Sequence, residues 1–62
     1  MNTSSSILIV DDESIIRDSL SKWFREDGFD IGTAENAAAA LRQLQARRWD
    51  IILLDIKMPG MD

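Results

Sequence analysis

The sequence predicts an α/β fold in the order β-α-β-α-β, half of a doubly wound parallel sheet. Two observations carry that prediction. Ile7-Leu8-Ile9-Val10 and Ile51-Ile52-Leu53-Leu54 are short continuous apolar runs, each stopped by aspartate. Runs of this kind suit strands covered on both faces, as in parallel sheets. Between them lie two segments with helical signals and one further short strand. At 62 residues the chain is at most one small domain, and a domain this short buries only about 60% of its unfolded surface.

The elements follow in order. Residues 1–6, Met1 to Ser6, are polar and small and read as a flexible lead-in, with the domain itself running over residues 7–62. The first strand ends at Asp11-Asp12-Glu13. From Ser14, apolar residues at Ile16, Leu20 and Phe24, with Trp23 beside them, form one stripe of an amphipathic helix. Gly28 is placed as a left-handed C-terminal cap, with Phe29 able to pack back on the last turn. Asp30-Ile31-Gly32-Thr33-Ala34 reads as a strand weakened by its glycine.

Asn36 is a good N-cap for a second helix over 37–47. Its alanines favour helix and a close-packed surface, and Arg47-Arg48 suit the negative end of its dipole. Asp50 leads into the third strand, read as buried, and Lys57-Met58-Pro59-Gly60 forms a turn. A helix of about 11 residues spans about 16 Å, enough to carry the chain back along a five-residue strand. Right-handed crossovers then place all three strand ends on one rim.

Composition removes several function classes. Hydrophobic residues make up 45% and charged residues 29%, an ordinary globular balance. Without cysteine or histidine there is no disulfide, thiolate metal site or imidazole chemistry. The net charge of −4 counts against direct nucleic-acid binding by this chain. No stretch approaches the roughly 20 apolar residues of a membrane span, and the start lacks the features of a signal peptide. A cytoplasmic protein is the expectation.

The chemistry gathers at the strand ends. Ligands of open α/β sheets bind outside the carboxyl ends of the strands, where strand order reverses. In the order 2-1-3 that point lies between the first and third strands, bringing Asp11, Asp12 and Asp55 together. Two carboxylates about 4 Å apart repel by roughly 4 kcal/mol at an effective dielectric of 20. Such a cluster takes up protons or recruits a cation, and oxygen donors alone favour a hard ion, foremost Mg2+. With a cation bound, a carboxylate oxygen is free to attack phosphorus. Asp55, closing an apolar strand taken as central, is the candidate held most rigidly. Asp11 and Asp12 begin a loop suited to metal ligands. Read singly, Asp12 and Glu13 could equally be helix N-terminal residues favouring the dipole, and for Asp55 a solvated strand end outweighs a functional role.

Several stretches then match a known pattern: Ile7 to Glu13, Gly28-Phe29, Thr33-Ala34, Ala40-Leu41, and Asp50 through Asp62. Together they closely resemble the receiver domain of bacterial two-component response regulators, over nearly the whole chain. The reversal rule has members of this fold among its known instances, so site placement and resemblance are not independent. The resemblance implies a flavodoxin-like sheet with Asp55 as phosphoacceptor. It implies Asp12 directly on Mg2+, Asp11 reaching the metal through water, and the Lys57 backbone carbonyl as a further ligand. The implied phosphoryl donor is a phosphohistidine on a sensor histidine kinase docked beside the first helix, where Ile15 and Ser19 lie off the core stripe. For Ile15, packing or simple exposure weighs more than docking.

A receiver domain is about twice this length, so the chain is expected to be its N-terminal half. The family's fourth-strand Ser/Thr and fifth-strand Lys have no counterpart here, and Lys57 sits in the wrong loop to serve. The third strand would then be a bared edge. The chain is expected to fold poorly alone or to form a symmetric homodimer through that strand. The reading is of a signalling module and not a turnover enzyme. An inert binding or dimerisation fragment is the alternative. A metal-dependent phosphohydrolase ranks lower, because Asp11-Asp12 lacks Asp-x-Asp spacing. A nucleotide-binding half-domain is disfavoured, since Asp-Asp-Glu replaces a glycine-rich phosphate loop.

Overall fold

The five elements appear in the predicted order in a computed structural model, which describes residues 5–55. They are β1 (Ser6–Asp11), α1 (Ser14–Glu26), β2 (Asp30–Ala34), α2 (Ala37–Ala46) and β3 (Ile51–Asp55). The strands form one parallel sheet in the order β2-β1-β3. The expected turn at Lys57–Gly60 lies outside the described residues, as do residues 1–4 of the expected lead-in. Ser6 is not part of a lead-in: it opens β1 and is buried.

Strand β1 is the centre of the molecule, and all six of its residues are buried. Leu8 and Val10 pack with Ala34 and Ala40, against which Ala39 and Trp49 also lie. Ile7 and Ile9 point to the opposite face by the two-residue period of a strand, and they are buried too. Fully burying one such side chain contributes roughly 1.5–3 kcal/mol, so this strand anchors the fold.

The third strand departs from its reading as buried. Ile51, Ile52 and Leu54 are exposed, Leu54 at 69%, and only Leu53 is half-buried. Among the described residues β3 touches only β1, and neither helix packs against it. An apolar run specifies what could cover a strand, but crossover helices decide what does.

Helix α1 ends as its sequence requires. Gly28 has φ 97°, the left-handed region. Its N–H donates to the Arg25 carbonyl, and the Phe29 N–H donates back to Phe24. Phe29 then meets the Phe24 ring edge-on at 5.8 Å between centroids. This is a Schellman cap with its apolar contact. Leu20 and Phe24 are half-buried, whereas Ile16 and Trp23 are exposed.

Helix α2 is capped by Asn36, whose side chain accepts from the Ala39 N–H at 2.8 Å. Arg47 is the C-cap residue of α2. Its guanidinium pairs with Asp30 at 2.9 Å and lies 4.2 Å over the Trp49 ring. The indole Nε1 donates to the Gln43 carbonyl. A Cβ on Gly32 would collide with that indole. The glycine that weakens β2 in isolation is therefore what makes room for the Trp49 ring.

Candidate functional site

Parallel pairing places Asp11 and Asp55 opposite one another at the carboxyl ends of β1 and β3. Neighbouring strands are about 4.8 Å apart, and register partners project to the same face. The two aspartates, distant in sequence, are thus set side by side on the rim where strand order reverses. Asp12 is the next residue along and is exposed, as is Asp55.

Asp11 is the unusual member. It is 2% exposed. Its Oδ1 accepts the Glu13 N–H at 2.9 Å, closing a short Asx turn. Its Oδ2 is buried with no hydrogen-bond partner among the described residues. Leaving a buried polar atom unsatisfied costs about 1–3 kcal/mol, more when it is charged. Hard oxygen donors with an unfilled buried position fit a hard cation.

The expected ligands are only partly assembled. Among the described residues no group of three His, Cys, Asp or Glu side chains is placed to hold a metal ion. Lys57, expected to add its carbonyl, lies outside the described residues. Among the described residues β1 is the central strand, and Asp55 ends β3 on its outer side.

Helix α1 starts directly behind this rim, with Glu13 as N-cap and no side-chain capping bond. The first N–H groups of a helix carry partial positive charge and favour anions. Arg17 Nη1 donates to the backbone carbonyl of Asp11 at 2.7 Å, and Ser21 Oγ donates to the Arg17 carbonyl. Sequence reading missed Arg17; its one signal is a cation one turn into a helix, where the dipole disfavours it. Ile15, 78% exposed, and Ser19 both face outward on α1. A groove of about 530 Å3 lined by Asp18, Ser21, Lys22, Arg25, Glu26 and Thr33 shares no residue with the acidic rim.

The opposite rim holds acids of another kind. Asp50 Oδ2 accepts from both the Ser6 N–H (2.8 Å) and the Ser6 hydroxyl (3.1 Å). The Asp50 N–H donates back to Ser6 Oγ and to the Ser6 carbonyl. The Ser6 N–H, then the Ser6 hydroxyl, hold the Asp50 carboxyl below its ordinary range, with Arg47 and Arg48 adding to this and desolvation opposing it. Nothing in the periodicity signalled this clamp.

A parallel β2-β1-β3 sheet with aspartates at the reversal defines the first half of a doubly wound α/β fold, and comparison with known proteins names the family. The model of the response regulator receiver domain matches residues 7–62, so the chain belongs to that family. It is 45% identical over 60 residues to the transcriptional regulatory protein PrrA of Mycobacterium tuberculosis, covering 97% of this chain and 26% of that protein. It is 42% identical over 59 residues to sporulation initiation phosphotransferase F of Bacillus subtilis, covering 95% and 48%. With the regulatory protein AtoC of Escherichia coli it shares 42% over 62 residues, 100% of this chain and 13% of that one. The chain thus spans half or less of each of these relatives. No solved structure matches it significantly. Among the described residues no helix is long and apolar enough to cross a membrane.

Proposed function

We propose that this chain is the phosphoacceptor module of a two-component response regulator, taking a phosphoryl group on Asp55 from a sensor histidine kinase. The observation that carries the reading is the buried, unpartnered Oδ2 of Asp11 set in register beside Asp55. Asp11, Asp12 and Asp55, with the Lys57 backbone carbonyl, would hold Mg2+. When bound, the cation offsets repulsion between the carboxylates and the incoming phosphoryl oxygens. A carboxylate oxygen of Asp55 forms the new bond to phosphorus as the P–N bond of a phosphohistidine breaks. The imidazole leaves with the electron pair and takes up a proton, and Asp55 is left as a mixed anhydride. Asp11, buried and tied into its turn, stays a ligand. The exposed Ile15 and Ser19 on α1 suit a docking kinase.

Incubation with Mg2+ and acetyl phosphate, followed by mass spectrometry, tests this. A phosphoryl addition that disappears in Asp55→Asn supports the proposal. No addition favours an inert binding fragment, and many turnovers of released phosphate favour a phosphohydrolase.

A second reading concerns assembly, favoured by the exposed apolar residues of β3 at the sheet edge. Two copies pairing these strands about a two-fold axis would satisfy the backbone groups along the outer side of β3. Light scattering reads it directly: a monomer with cooperative unfolding removes this reading and leaves the first untouched.

A further inference from the structure

We infer that Arg17 is a positioning residue for the acidic site, acting as a latch on the backbone of Asp11; this rests on the phosphoacceptor reading above. The guanidinium reaches back from α1 to the Asp11 carbonyl at 2.7 Å, a short charge-assisted bond. It does not hydrogen-bond the Asp11 carboxylate, whose Oδ1 accepts the Glu13 N–H and whose Oδ2 is buried without a hydrogen-bond partner among the described residues. The latch therefore fixes a peptide and leaves the ligand oxygen open. The carbonyl it holds belongs to the peptide joining Asp11 to Asp12, so it sets the direction in which Asp12 leaves the strand.

Three contacts act on this turn from different sides. The Asp11 carboxylate accepts the Glu13 N–H, the Glu13 carbonyl accepts the Arg17 N–H, and Arg17 Nη1 donates to the Asp11 carbonyl. Ser21 Oγ, buried, donates to the carbonyl of Arg17 itself one turn further on. The result is a closed circuit from strand end to helix and back. A cation this close to a helix N-terminus stands against the dipole, which the acids at the strand end offset.

The latch and a merely electrostatic role predict opposite signs. Removing a positive charge beside a cation site tightens cation binding, whereas releasing the turn weakens it. Mg2+ is titrated into the full chain while the Glu13 amide is followed by NMR. Arg17→Gln is expected to weaken Mg2+ binding by about tenfold, as losses of outer-shell support do. Arg17→Lys, which keeps a donor of similar reach, is expected to recover most of that loss. Circular dichroism confirms that each variant is folded at the temperature of titration, and Arg42→Gln, an exposed arginine on α2, serves as the control for charge alone. Equal or tighter Mg2+ binding in Arg17→Gln overturns the inference and leaves the site reading standing. No saturable shift in the unaltered chain overturns the site reading, and the inference with it.

Discussion

The two rims of the sheet carry the same residue type and treat it in opposite ways. At the amino ends, Asp50 is clamped to Ser6 by bonds in both directions, and Asp30 is paired with Arg47. At the carboxyl ends, Asp11 is buried with one oxygen unpartnered, and Asp55 stands exposed beside it. One rim spends its carboxylates on closing the fold. The other leaves them open at a cost in stability, the usual signature of a site kept for a ligand.

The largest expected contrast is in chemistry. Asp55→Asn should abolish phosphoryl addition from acetyl phosphate. Asp50→Asn, on the closed rim, should leave the addition per folded molecule unchanged. Mass spectrometry of both variants after equal incubation reads the difference. Loss of addition in Asp50→Asn, with the fold intact, would erase the distinction between the rims.

Next in size is a purely structural effect. Gly32→Ala forces its new methyl into the Trp49 indole, and overpacking of this kind costs about 1–3 kcal/mol. Urea unfolding should show that loss. Gly32→Ala combined with Trp49→Leu should recover part of it, because the colliding ring is gone. On the open rim the sign reverses. Asp11→Asn relieves like-charge repulsion with Asp55, its register partner, and should raise stability by about 1 kcal/mol while weakening Mg2+ binding. A variant that is both less stable and unable to bind would mean the carboxylate is structural.

How much of this was legible in the sequence follows the range of the forces involved. The order of elements, the capping by Asn36 and Gly28, and the meeting of Asp11 with Asp55 rest on local periodicity and chain topology. Those leave a pattern in sequence. The reading of β3 as buried failed because burial depends on what packs over a strand, and among the described residues no helix does. Its apolar run was read correctly as a strand and wrongly as a covered one. The Arg17 latch, the Ser6–Asp50 clamp and the Trp49–Gly32 contact are single side-chain encounters set by geometry. Such encounters have no period to detect. Gly32 shows this best, since the same residue is a defect by propensity and a requirement by contact.

The smallest expected effect separates the rims by pH. In the folded chain the Asp50 carboxyl lies below its ordinary value of 3.8, chiefly through the Ser6 N–H and then the Ser6 hydroxyl. The unfolded state therefore binds its proton at a higher pH than the folded state does. The clamp's contribution is fully present above the ordinary carboxylate value and is lost as pH falls below it, through the folded-state value. Because Asp50 is exposed, solvent screens the contribution, and the slope it adds should be shallow. Denaturant midpoints taken from pH 6 downward should fall less steeply below about pH 4 in Asp50→Asn than in the unaltered chain. Identical slopes would mean that Ser6 holds the two strands by backbone bonds alone, with the carboxylate a bystander.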